Sequence, residues 1–272
     1  MMEKREIDRL TSLARAIRRQ IIIISGSTGT GHVGSSFSVV DILVVLYEHF
    51  VKGDPGDPER DRVIFSKGHA SLALYSVLAH KGILPPQRFA TFAKNGTGLG
   101  HHPHYEPAIG LEANTGSLGH GLSVGCGLTY AGKSVRSNAM VYVIMSDGEA
   151  NEGSVWEAAA FAAHHGLNRL CMILDSNRMQ AMGNTRDILN PIDHAAKWRA
   201  FGWEVLEVNG HDIGALAEAF STAGTGGKPR AIIAHTVKGK GVSFMENNLL
   251  WHYRPPQGEE CKAALEELGL CE

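Results

Sequence analysis

Two short motifs in this chain have the residue types to hold a metal ion: Asp147-Gly148-Glu149 and Asp175-Ser176-Asn177. Each follows an apolar run, 139–146 before the first and 170–174 before the second. Short runs rich in aliphatic and β-branched residues, closed by a polar turn, read as buried strands of a parallel sheet. The stretch between them, 152–166, is helical in character and ends on Gly166. Together they predict a βαβ unit with an acid beyond one strand and an amide beyond the next. In open α/β sheets ligands bind in the crevice outside the carboxyl ends of the strands. A carboxylate, an amide oxygen and a loop carbonyl are hard oxygen ligands, suited to Mg2+ or Ca2+. Mg2+ held by so few protein groups shares its sphere with phosphate oxygens. The motifs therefore point to a diphosphate bound through a divalent cation. The plainer reading of Asp147 is a helix cap, and of Asn177 a turn residue. Their pairing across neighbouring strand ends favours the metal.

Histidines form the second candidate set. The chain has 14, several beside Gly or Pro: His32, His69, His101-His102-Pro103-His104, His120 and, after Trp251, His252. Singly, each reads as a surface or internally satisfied histidine. As a set in turn-rich loops, they suit the positioning of anionic groups and proton movement near neutral pH.

These residues need a scaffold. Apolar positions Ile7, Leu10, Leu13, Ala14, Ile17 and Ile21 have helical spacing and predict a helix over 3–24. A loop at 25–34, a buried helix at 38–50 and a loop at 52–61 lead to a strand at 62–66. A helix at 68–82 starts beside His69. The Gly/His/Pro-rich stretch 91–114 is too long and irregular for an ordinary connection, which marks it as functional or poorly ordered. A small-residue helix at 117–132 lets a backbone or ligand approach closely. Beyond the βαβ core come a loop at 179–191, a helix at 192–201, a strand at 203–208, a helix at 213–223 and a strand at 230–237. A second long loop fills 238–256, where Lys238 and Lys240 read as solvated charges. The expected fold class is α/β, a mostly parallel sheet with helices on both faces. The chain reads as one domain over 1–272, with a helical N-terminal segment (3–24) and a C-terminal tail (257–272).

The totals set bounds. A chain of 272 residues can bury a full α/β core. Its 26 basic and 28 acidic residues give a net charge of -2, which offers no electrostatic case for nucleic acid or an anionic membrane. Cys126, Cys171, Cys261 and Cys271 lack CxxC spacing. Cys126 and Cys171 lie in apolar contexts, so buried free thiols in a reducing compartment are expected. The charged N-terminus is unlike a signal peptide, and the isoleucine run 21–24 is far too short to span a bilayer. A soluble, cytoplasmic protein is expected.

Six segments, in order, resemble the N-terminal, diphosphate-binding half of the transketolases, which are thiamine diphosphate enzymes. They are Gly31-His32-Val33-Gly34, Ser66-Lys67-Gly68-His69-Ala70, Gly100-His101-His102-Pro103, Thr115-Gly116-Ser117-Leu118-Gly119-His120-Gly121, the span from Ser146-Asp147-Gly148-Glu149 to Asp175-Ser176-Asn177, and Lys238-Gly239-Lys240-Gly241-Val242-Ser243-Phe244. The similarity runs from about Ser25 to about Pro256. It implies that Asp147, Asn177 and the Met179 carbonyl bind Mg2+, with Ca2+ or Mn2+ as substitutes. It implies that Gly148 offers its N–H to the diphosphate, with Glu149 beside it, and that His69 and His252 lie on the diphosphate side. Gly116, Ser117 and Leu118 match the segment that touches the aminopyrimidine. His32 and His102 match the histidines facing the sugar, with His101 an alternative to His102. Glu152 matches an acid near the contact between subunits.

The resemblance implies transfer of a two-carbon ketol unit from a ketose phosphate to an aldose. It also implies a partner, because a full transketolase subunit is more than twice this length. The chain resembles the first subunit of a split transketolase. Its partner would carry the pyrimidine-binding domain, and the assembly would hold two copies of each chain. The 117–132 helix and the 91–114 loop are candidate contact surfaces. Two positions depart from the family: Ser146 stands in place of Gly, and Tyr253 stands where Gly is general. Tyr253 is expected to alter which sugar or anion fits. The α subunit of a 2-oxo acid dehydrogenase, or a non-catalytic paralogue, are the alternatives.

Overall fold

The computed structural model describes residues 2–96, 98–189 and 193–269. In chain order the elements are α1 (Lys4–Thr28), α2 (Val33–Val45), β1 (Arg62–Phe65), α3 (Ser71–His80), α4 (Pro86–Phe89), α5 (Gly121–Ser134), β2 (Val141–Ser146), α6 (Gly153–His164) and β3 (Leu170–Ser176). They continue with β4 (Met179–Gln180), β5 (Gly183–Asn184), α7 (Thr185–Ile188), α8 (His194–Ala200), β6 (Glu204–Asn209), α9 (Ile213–Ser221), β7 (Arg230–His235) and α10 (Glu259–Glu267).

The five long strands form one parallel sheet in the order β1-β2-β3-β7-β6. The expected α/β class is observed. Strand residues alternate between two cores, as the two-residue period of a pleated strand demands. Tyr142, Ile144, Cys171, Ile173 and Ile232 face α1, α2, α3 and α9. Val143, Met145, Met172, Leu174 and Ile233 face α5, α6 and α8. Both faces are covered, which explains the uninterrupted apolar runs of β2 and β3. Register sets Ser146 beside Asp175, so β2 and β3 end level and their following turns open on one side.

Several boundaries differ from those the sequence predicts. α1 runs on to Thr28, because the hydroxyls of Ser27 and Thr28 donate to the Ile24 carbonyl and the polar turn stays helical. α2 starts at Val33, five residues early, and continues as a wider π-type turn over Leu46–Phe50. Its Gly-Ser-Ser opening reads as loop in isolation, yet Gly34, Ser35 and Ser36 are all buried. Val33–Phe50 is also, among the described residues, the helix long and apolar enough to cross a bilayer, but 83% of it is buried inside the protein. α5 starts at Gly121, so 117–120 forms a turn. A Cβ on Gly121 would lie 2.1 Å from Ser66 Oγ, which shows why that helix needs small residues. α8 begins at His194, and the expected start at Ile192 lies outside the described residues, as does Cys271. Cys126 and Cys171 are buried free thiols.

Candidate active site

A cleft of about 330 Å3 opens beyond the carboxyl ends of β2 and β3. The turn after β2 supplies Asp147 and Gly148, and the turn after β3 supplies Asn177 and Met179. His32 comes from the start of α2 and His69 from the turn after β1. Gly116 and Leu118 enter from the turn before α5, and Lys238, His252 and Tyr253 from the segment after β7. Turns far apart in the sequence therefore meet at one crevice.

Asp147 is only 2% exposed. Its Oδ1 accepts the Gly148 N–H at 2.9 Å, and its Oδ2 accepts the Arg178 N–H at 2.7 Å and the Thr185 hydroxyl at 3.1 Å. Burial, reinforced by the nearby Asp175 carboxylate, pushes its carboxyl up to about 6. A cation beside it would relieve that cost. Asn177 Oδ1 accepts the Met179 N–H at 3.1 Å, which leaves its second lone pair for a ligand. With the Met179 carbonyl these are all hard oxygens, and they fit Mg2+ or Ca2+. Among the described residues, no cluster of three His, Cys, Asp or Glu side chains could hold a metal. A cation here would complete its sphere from an anionic ligand.

The expected solvated lysine at 238 is corrected by the structure. Lys238 is fully buried, and its Nζ lies 2.5 Å from His252 Nδ1 and 3.5 Å from the Met179 carbonyl. Lys240 keeps the expected character, half-exposed and paired with Glu246 at 3.3 Å. No carboxylate lies within ion-pair distance of Lys238 among the described residues, and burial, with Lys67 nearby, pulls its ammonium down to about 8. In the segment Val237-Lys238-Gly239-Lys240-Gly241 the two glycines read as a flexible loop, whereas Gly239 donates its N–H to the Gly34 carbonyl and ties the loop to α2.

The histidines gather as an aromatic wall. The His32 ring centroid lies 5.4 Å from His69, 5.3 Å from His252 and 5.1 Å from Tyr253. Burial, then His102 and Lys238, lowers His32 to about 4. Burial and Lys238 lower His252 to about 3, and burial holds His69 well below the ordinary range. All three are neutral at pH 7. With Nδ1 accepting from Lys238, the bonding assigns the proton of His252, a residue of the cleft lining, to Nε2. His32 sits at φ 64, a left-handed conformation uncommon outside glycine and typical of functional positions.

Other expected residues lie at different depths. His102 is exposed, and its ring packs on Gly116, where φ is +119 and a Cβ would lie 2.5 Å from His102 Cδ2. His101 instead packs against Phe92, with ring centroids 5.8 Å apart. Ser117 is exposed and lies between Gly116 and Leu118, off the cleft wall. Glu149 is fully buried beneath the cleft. It accepts from the Ser66 hydroxyl at 2.5 Å and the Gly119 N–H at 2.8 Å. Glu152 lies exposed on the cleft rim.

Comparison with known proteins identifies the family. The family described as "Transketolase, thiamine diphosphate binding domain" matches residues 10–272. An apulose-4-phosphate transketolase subunit of Actinobacillus succinogenes is 43% identical over 267 residues, covering 96% of each chain. The 6-deoxy-6-sulfo-D-fructose transketolase subunit SqwG of a Clostridium species is 40% identical over 272 residues, covering 98% of each. Among solved structures, the transketolase of Leishmania mexicana superposes with a TM-score of 0.89 at 28% identity, over 96% of this chain and 41% of that one. The transketolase of Campylobacter jejuni gives 0.87 at 30% identity, over 99% of this chain and 43% of that one. The chain thus spans less than half the length of these full transketolases and nearly all of the two shorter subunit proteins. By sequence and fold, this chain belongs to the transketolase thiamine diphosphate-binding domain family.

Proposed function

We propose that this chain is the diphosphate-binding subunit of a two-subunit transketolase that transfers a two-carbon ketol unit from a ketose phosphate to an aldose. The observation that carries this reading is the charge arrangement of the cleft. Hard oxygens suited to a divalent cation stand beside Lys238, a buried ammonium without a carboxylate partner among the described residues. Two cations so close require an anion of several negative charges between them. A diphosphate meets that need.

In this reading Asp147, Asn177 and the Met179 carbonyl hold Mg2+. Lys238 and His69 hold the diphosphate, joined by the Gly148 N–H once the cation takes its place on Asp147 Oδ1. The Nε2–H of His252 donates toward the same anion, oriented by Lys238 behind it. Leu118 and Gly116 form the surface for the aminopyrimidine, with Ser117 in the same turn. When bound, thiamine diphosphate supplies the carbon nucleophile that takes up and passes on the ketol unit. His32 and His102 carry hydrogen bonds and protons at the hydroxyls of the sugar. Neutral imidazoles can do this at pH 7 because each keeps one N–H and one lone pair. Glu149 acts from below, fastening the Gly119 turn to the strand ends.

The partner supplies the pyrimidine-binding domain. Two relatives that match this chain over 96–98% of their length are named as transketolase subunits, which supports a divided enzyme. An assembly with two copies of each chain, a single domain in this one and a cytoplasmic location complete the proposal. The sugars in the relatives' names, apulose 4-phosphate and 6-deoxy-6-sulfofructose, define the panel to try first. The test is a ketol-transfer assay of this chain with and without the protein encoded beside it. Activity only with both is expected. Turnover by this chain alone, or none with any ketose despite cofactor binding, would refute the reading.

A further inference from the structure

Beneath the cleft lies a buried polar layer to which the proposed function gives no role. Asp175, at the end of β3, is fully buried and does not line the cleft. Its Oδ1 accepts from the Thr236 hydroxyl, and its Oδ2 from Lys67 Nζ and, at 2.7 Å, the Ser38 hydroxyl. Lys67 is itself fully buried and also donates to the Ser35 carbonyl at 2.9 Å. The donors come from α2, the turn after β1 and the end of β7, so one carboxylate ties together three elements that frame the site.

The layer reaches the cleft at Ser35 and at Asn177, and Asn177 brings a side-chain amide to it. Asn177 Nδ2 donates to Ser38 Oγ at 3.3 Å and approaches Asp175 Oδ2 at 3.5 Å, while its Oδ1 accepts the Met179 N–H. Rotating the amide by half a turn would set its NH2 against the Met179 N–H, donor to donor. It would also set its oxygen against the Asp175 carboxylate. Both contacts are repulsive, so the network permits one orientation, with the carbonyl oxygen available to a ligand.

We propose that Asp175, Ser38 and Lys67 are positioning residues that lock the Asn177 amide with its oxygen toward the cation. The inference rests on the reading of Asn177 as a cation ligand. Lys67 is the counter-charge of the buried Asp175 carboxylate. That carboxylate accepts the Ser38 hydroxyl, so that a Ser38 lone pair faces Asn177.

The experiment titrates thiamine diphosphate into the full chain, together with its partner subunit, by calorimetry at a series of Mg2+ concentrations. Wild type is compared with Ser38→Ala and Asp175→Asn. Ser38→Ala removes one small hydroxyl and should fold. Its expected result is an apparent Mg2+ Kd raised about 10-fold or more, within the range usual for outer-layer changes at metal sites. Thiamine diphosphate affinity at saturating Mg2+ should stay near wild type. Asp175→Asn should give a larger loss of Mg2+ affinity. An unchanged Mg2+ Kd in Ser38→Ala, with or without a lower melting temperature, would show a structural role only and overturn the proposal. Wild-type binding that needs no Mg2+ would overturn the cation-site reading itself, and this inference with it.

Discussion

Replacing Lys238 by methionine should move two properties in opposite directions. The side chains are close in length, so packing in the buried slot is largely kept. In the free protein the buried ammonium bonds to a neutral imidazole and a carbonyl, and no carboxylate lies within ion-pair distance among the described residues. Its pKa falls from the ordinary 10.5 to about 8. At about 1.4 kcal/mol per pH unit, that gap represents on the order of 3 kcal/mol of stability withheld from the cofactor-free protein at neutral pH. The sign follows from proton binding. Between pH about 8 and 10.5 the unfolded chain holds this proton more tightly than the folded one, so wild-type stability should rise across that window. Lys238→Met should lack that rise and be more stable at pH 7, by about 1–3 kcal/mol. It should bind thiamine diphosphate more weakly, because a charge-assisted bond worth about 1.5–3 kcal/mol is lost, a Kd increase of roughly 10- to 150-fold. Urea melts at pH 7 and pH 10, paired with calorimetric titration of the cofactor, read both effects. A variant less stable than wild type that binds the cofactor equally well would refute the reasoning.

Three further outcomes are expected from the same geometry. Glu149→Ala should destabilise the chain by about 2–4 kcal/mol in urea unfolding, because the buried Ser66 hydroxyl and Gly119 N–H lose their acceptor. Acidification should destabilise the cofactor-free protein from pH 6.5 down to about 4: His32 is held at about 4 and His252 at about 3, so the unfolded chain takes up protons that the folded chain refuses. His32→Gln should flatten part of that loss in melts recorded between pH 7 and pH 4. Tyr253→Gly should widen the cleft mouth, where the ring is 62% exposed and 5.1 Å from His32. The ratio of kcat/KM for longer over shorter ketose donors should then rise by about 10-fold or more, the scale of one added methylene in a fitted pocket.

How far the sequence reveals the site depends on whether each side chain is set by local pattern or by distant packing. The ends of β2 and β3 are local: an apolar run followed by Asp147 or Asn177 places both residues at a crevice, and the level register of the two strands brings them together. Lys238 is the opposite case. The glycines that follow it, at 239 and 241, suggest a solvated loop, and only the docking of that loop on α2 buries it. Glu149 follows Asp147-Gly148 directly, which suggests a shared role at the cleft. The tight turn after β2 sends its side chain downward instead, to Ser66 and Gly119. The early start of α2 is hidden for the same reason as Lys238. Gly34, Ser35 and Ser36 favour loops on their own and become helical where α2 is enclosed by α1, α3 and the sheet.

The central claim is that a divalent cation on Asp147 and Asn177 anchors a diphosphate in this cleft. Calorimetric titration of thiamine diphosphate into the full chain with its partner, with Mg2+ and then with EDTA, tests it most directly, with Asp147→Ala beside wild type. The account predicts saturable binding with Mg2+, weakened at least about 100-fold by EDTA or by the substitution, on the scale of a lost buried charge. Equal binding by Asp147→Ala and wild type, or binding indifferent to EDTA, would contradict it.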